Sequence, residues 1–172
     1  KKLIAQSLIE YNRKQFISKF PPNTGSIRHL LDMFPQAKFV YIYRNPVLVF
    51  QSTVNFFETT HEALMLQPFS SAEFEEMVFE LYEMIIKDYE RLKSLIPADH
   101  LVEIRYEDFE ADPLEGLRNI YERLELDGFE QSIPAFTDYF NSQKKFEKAS
   151  HQFTPEEIER ITSRWRFAME MY

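Results

Sequence analysis

The 172-residue chain has no cysteine and only three glycines. Without cysteine there is no disulfide, no thiolate metal site and no cysteine nucleophile. Three glycines are few for an α/β nucleotide-binding domain, which usually places several in a phosphate loop. Neither G-x-x-x-x-G-K-[ST] nor G-x-G-x-x-G occurs, so any phosphate site is built from other residues or lies partly upstream of Lys1. No apolar run approaches the roughly 18 residues that cross a bilayer, and no membrane span is expected. The opening stretch is amphipathic and has no signal-peptide pattern. Positive charge is also scarce. A net charge of −8 and a pI near 5.1 argue against a general nucleic-acid binder, which would show a basic face. A local cationic pocket for a small anion remains compatible with an acidic protein.

What is abundant is apolar and aromatic. Hydrophobic residues make up 44% and aromatics 16%, with 17 Phe and 9 Tyr, enough for one bulky core. The expectation is a single domain over residues 1–172. Leu3, Ile4, Leu8 and Ile9 are spaced for a helix over 1–14. Phe16-Ile17 reads as a short strand broken at Lys19-Phe20-Pro21-Pro22-Asn23-Thr24-Gly25. Ile27, Leu30, Leu31 and Phe34 mark a helix ended by Pro35. Phe39-Val40-Tyr41-Ile42-Tyr43 is the clearest strand, a continuous run suited to burial on both faces of a parallel sheet. Asn45 as cap and Pro46 as first helical residue predict a helix to about Thr60. His61–Phe69 reads as a loop. Ser70-x-x-Glu73 then opens a long helix to about Leu95, with a stripe of Phe74, Met77, Val78, Leu81, Ile85, Leu92 and Leu95. Leu101–Ile104 is a third strand, and Asp112-Pro113 caps a helix to about Leu124. Thr154-Pro155-Glu156-Glu157 starts a last helix running toward Tyr172. Alternating strands and helices imply βαβ units and a parallel sheet. Three strands are few for a doubly wound domain.

Two of these strands end in a cation, Lys19 and Arg44, and ligands of open parallel sheets bind beyond the carboxyl ends of the strands. Arg44 immediately precedes a helix N-terminus, a setting suited to a polyanion, although a strand-end cation is as often a plain surface residue. Glu75-Glu76 and Glu156-Glu157 read as helix-surface charges. His29 reads as structural or exposed, and His61 as a candidate base in a loop that could border an acceptor pocket. Lys144–Lys148 reads equally as a solvated charge run.

The segment Phe34–Pro46 followed by Ser52 resembles the 3′-phosphate-binding segment of sulfotransferases that use 3′-phosphoadenosine-5′-phosphosulfate (PAPS). Lys19–Gly25 resembles the lysine-proline turn of the bacterial-type members. Arg105-Tyr106-Glu107-Asp108-Phe109 with Asp112-Pro113 resembles their Tyr-Glu-Asp segment. The resemblance runs over residues 16–113. It implies a P-loop-NTPase-like three-layer α/β sandwich, here partial and rich in helix, with PAPS as donor and no metal. It implies that Arg44 and Ser52 hold the 3′-phosphate, Tyr106 lies near the adenine and Lys19 stabilises the sulfuryl and bridging oxygens. It also implies a basic flap in which Lys145 and Lys148 contact the cofactor. Two departures stand out. The 5′-phosphosulfate loop is absent, as though an N-terminal strand and its loop were missing. Pro21 stands where many members carry a general-base His, so the base is unassigned.

The expected activity is sulfuryl transfer to a hydroxyl or amine of a small-molecule or glycan acceptor, in a cytoplasmic protein without a nucleic-acid partner. A P-loop kinase-type phosphotransferase and a non-catalytic remnant of the same fold are the alternatives. The acceptor loops are expected at His61–Phe69 and Gln131–Phe146.

Overall fold

The computed structural model describes residues 1–10, 15–64, 70–143 and 153–172. Its centre is a parallel pair of strands, β1 (Phe39–Tyr43) and β2 (Leu101–Arg105), in register from Phe39 opposite Leu101 to Tyr43 opposite Arg105. Before β1 come α1 (Lys2–Glu10), a 3₁₀ turn (Pro21–Ser26) and α2 (Ile27–Met33). The crossover between the strands is α3 (Pro46–Leu64) and α4 (Ser71–Leu92). After β2 follow α5 (Tyr106–Ala111), α6 (Pro113–Arg123), α7 (Phe129–Gln143), α8 (Pro155–Arg164) and α9 (Arg166–Met171).

Three layers form because each sheet face carries its own apolar set. On one face Phe39, Tyr41 and Leu101 pack against Ile27, Tyr89, Leu92 and Ile96 from the α2 and α4 side. On the other, Val102 and Ile104 are covered by Ile120 and Leu124 of the α6 segment and by Phe109. A third cluster lies outside the sheet, where Trp165 is fully buried among Val47, Phe50, Val78, Phe79 and Ile161. Its rings are close: Phe50 and Phe79 lie 4.4 Å apart, and Tyr82 and Trp165 4.0 Å. The Trp165 indole N–H donates to the Phe79 carbonyl at 3.3 Å, so burying that polar edge leaves no unmet donor.

The caps form where the sequence places them. Ser70 and Glu73 make a reciprocal capping box, which holds the Glu73 carboxyl below its usual range through the Ser70 hydrogen bonds. Thr154 and Glu157 make another. Asp112 accepts the Glu115 N–H at 3.1 Å. The paired acids are indeed surface charges, since Glu75 pairs with Arg160 and Glu76 with Arg164, tying α4 to α8.

Several expectations fail for physical reasons. Phe16-Ile17 is not a strand: Ile17 is 84% exposed, and neither β1 nor β2 pairs with it. An extended segment without a ladder partner has nothing to satisfy its backbone except water. The sheet therefore has two strands rather than three among the described residues. β1 is covered on one face only, for α6 packs over β2 and leaves Val40 and Ile42 42% and 50% exposed. α3 runs through His61 to Leu64 instead of stopping at Thr60, because Glu62, Ala63 and Leu64 are good helix formers. Residues 131–143 are helix, not loop: Pro134 is accommodated inside α7, whose Phe129 and Phe136 rings pack on Tyr121. The α-helix stops at Leu92 rather than Leu95, which lies exposed in a 3₁₀ turn (Lys93–Leu95); Leu81 is exposed too, while Phe79, Ile86 and Tyr89 are buried, since α4 packs on both the sheet side and α3. The last helix breaks at Trp165, giving α8 and α9.

Candidate nucleotide-phosphate site

The carboxyl ends of β1 and β2 lie side by side, so Arg44 and Tyr106, 62 positions apart, come into contact. The Arg44 guanidinium carbon sits 4.6 Å from the centre of the Tyr106 ring. The Tyr106 hydroxyl donates to Glu110 at 2.9 Å, which fixes the ring from below. Arg44 makes no ion pair among the described residues, and its Nε is buried without a hydrogen-bond acceptor. A half-buried cation lying on an aromatic face without a counter-anion is electrostatically incomplete. An anion placed here would complete it, with the charge-assisted bidentate geometry that guanidinium and phosphate share.

Asn45 then turns the chain into α3. Its Oδ1 accepts the Val47 N–H at 2.9 Å, and its own N–H donates to Glu107 Oε1 at 3.5 Å. Ser52 is exposed on α3, about two turns from the helix start, on the side opposite the buried Val47 and Phe50.

The other candidates are less closely tied to this point. Lys19 is exposed in the irregular segment before the 3₁₀ turn, and no contact joins it to Arg44 among the described residues. His29 is exposed on α2, as its spacing suggested. His61 lies within α3, but its side chain is outside the described residues, as are Lys145, Lys148 and the whole flap segment. The described residues contain no cluster of three or more His, Cys, Asp or Glu that could hold a metal ion, and no helix long and apolar enough to cross a membrane.

The sequence reading missed two features. One is Arg105, which ends β2 just as Arg44 follows β1, and could have been found by the same rule. Its guanidinium carbon lies 4.2 Å from the Tyr172 ring centre, it donates to the Tyr172 hydroxyl at 2.7 Å, and its Nε is 3.5 Å from Glu107 Oε2. The Tyr172 hydrogen bond keeps the guanidinium protonated beyond even the ordinary arginine range. The other is a cavity of about 240 Å³ running from Arg44 along the α4 face of the sheet, lined by Tyr41, Tyr43, Tyr82, Glu90 and Glu103. Tyr41 stacks on Tyr89 at 3.9 Å, and the Tyr89 hydroxyl donates to Glu103 at 2.7 Å. Burial pushes Tyr82 up to about 12 and raises Tyr41 and Tyr89 as well, with nearby carboxylates adding to the last two. These hydroxyls therefore stay neutral near pH 7.

A layered α/β domain with parallel strands leading into helices is of the class whose ligands sit beyond the carboxyl ends of the strands, where Arg44 and the start of α3 lie. Comparison with known proteins identifies which branch: residues 3–131 match the sulfotransferase family, and the chain belongs to that family. Two relatives are the omega-hydroxy-beta-dihydromenaquinone-9 sulfotransferases Stf3 of Mycobacterium bovis and Mycobacterium tuberculosis, each 29% identical over 160 residues. The match covers 93% of this chain and 41% of either relative, so the chain spans well under half of their length. In fold it resembles the crystal structure of sulfotransferase STF9 from Mycobacterium avium, with a TM-score of 0.75 at 16% identity, over 90% of this chain and 41% of that one.

Proposed function

We propose that this chain forms the 3′-phosphate-binding portion of a sulfotransferase that moves a sulfuryl group from PAPS to a hydroxyl or amine of a small-molecule acceptor. The single observation that carries the reading is Arg44: a half-buried guanidinium at the carboxyl end of a parallel strand, supported by Tyr106 and lacking an anion. Family membership supports the reaction class.

In this reading Arg44 grips the terminal phosphate with Ser52 beside it, and Tyr106 both supports Arg44 and borders the adenine. Bound PAPS supplies the transferable sulfuryl group. The protein's share is positioning and electrostatic stabilisation, as in phosphoryl transfer. Lys19 neutralises charge on the sulfuryl and bridging oxygens, and Lys145 and Lys148 close over the nucleotide. No metal takes part. The acceptor of the named relatives is a hydroxylated dihydromenaquinone, which favours a hydroxyl over an amine here. The cytoplasmic setting expected from the sequence goes with this reading.

The test is calorimetric comparison of adenosine 3′,5′-bisphosphate with adenosine 5′-monophosphate. A charge-assisted pair contributes about 1.5–3 kcal/mol, so the bisphosphate should bind roughly 10- to 150-fold more tightly. Equal affinity would remove the 3′-phosphate site and the reading with it.

A further inference from the structure

Resting on that reading, we propose that Glu107 is a positioning residue for the 3′-phosphate site, holding the Arg44–Asn45 turn in place through the Asn45 backbone N–H. Two adjacent residues of α5 grip two adjacent residues of the turn. Tyr106 lies under the Arg44 guanidinium, and Glu107 Oε1 accepts the Asn45 N–H. Asn45 is the cap of α3, so its N–H precedes the helix and has no helical acceptor. Without Glu107 that donor has no protein partner among the described residues.

The carboxylate also has an ionic neighbour, without a hydrogen bond between them. Its second oxygen faces Arg105 Nε at 3.5 Å, and Arg105 is pinned on Tyr172 by ring contact and hydrogen bond. The line Tyr172–Arg105–Glu107–Asn45 thus connects the last helix to the phosphate-binding turn. Rotation of Asn45 would disturb both of its neighbours: the Arg44 side chain on one side and the first turn of α3 on the other. A displacement of about half an ångström is enough to spoil a bidentate contact. Glu107 therefore acts on the phosphate only through the turn.

The experiment uses the full chain, with circular dichroism to check folding and calorimetry with adenosine 3′,5′-bisphosphate and adenosine 5′-monophosphate. In Glu107→Ala the preference for the bisphosphate should shrink about 5- to 20-fold, while binding of the monophosphate changes by less than about twofold. Glu107→Gln keeps an acceptor oxygen at the same position and should hold the preference within about threefold of the parent. An unchanged preference in Glu107→Ala sinks the proposal, and so does an equal loss in both variants, which would assign the effect to charge facing Arg105. If Glu107→Ala does not fold, hydrogen exchange at the Asn45 amide of the parent decides: protection supports the bond, and exchange at the rate of an open chain overturns it. A parent that shows no bisphosphate preference overturns the functional reading itself, a result distinct from these because it appears before any Glu107 variant is made.

Discussion

Two arginines stand at neighbouring strand ends, and the fold treats them differently. Arg105 pairs in register with Tyr43, one residue before Arg44, so the guanidiniums start from adjacent points on one edge. Arg105 has a ring, a hydroxyl that accepts its hydrogen bond and a carboxylate oxygen 3.5 Å from its Nε, although that Nε, like Arg44's, makes no hydrogen bond among the described residues. Arg44 has a ring beneath it and no counter-charge paired with it among the described residues. A cation with its partners in place is structural. In the proposed reading the one left short of an anion among the described residues takes that anion from a ligand, since a half-buried cation without a counter-charge is costly. Residue type and position at a strand end do not separate the two roles; the surrounding side chains do.

The sharpest way to break this contrast is to truncate each arginine separately. Arg44→Ala should weaken adenosine 3′,5′-bisphosphate binding by roughly 10- to 150-fold in calorimetry, the largest effect expected anywhere in the site. Its melting temperature should change little, since Arg44 makes no ion pair among the described residues. Arg105→Ala should show the reverse weighting: a melting temperature lower by a few degrees and a much smaller loss of nucleotide affinity. If the affinity losses are equal, the two arginines share one role and the contrast falls.

How much of this was open to sequence reading depends on which signals are local. Caps are local, so Asn45, Ser70, Asp112 and Thr154 were all placed correctly from residue type alone. β1 was legible because five consecutive apolar or aromatic residues allow little else. The second face of β1 was not legible, since its exposure depends on α6 covering only β2, a tertiary fact. Phe16-Ile17 carried strand composition but has no strand to pair with among the described residues, which no local window can tell. Pro134 pointed the other way, toward a break, and was overridden by aromatic packing between α6 and α7. In the site, Arg44 came from its place at a strand end and from family resemblance. Its seat on Tyr106 and the bond from Asn45 to Glu107 join positions 62 apart, and needed the strands in register.

Finer substitutions sharpen the comparison further by removing one support at a time. Tyr172→Phe keeps the ring over Arg105 and deletes only the hydroxyl that accepts its hydrogen bond. It should lower the melting temperature by less than Arg105→Ala does, and leave nucleotide binding closer to the parent. Tyr106→Leu acts on the other arginine. The pair it removes is a partly solvated cation–π contact at 4.6 Å, a class that contributes about 0.5–1 kcal/mol, so bisphosphate affinity should fall only about two- to fivefold. The loss should be confined to nucleotides bearing a 3′-phosphate if Tyr106 acts chiefly through Arg44, and should extend to adenosine 5′-monophosphate if the ring also borders the base. A loss as large as that of Arg44→Ala would mean that the ring, and not the guanidinium, dominates recognition at this strand end.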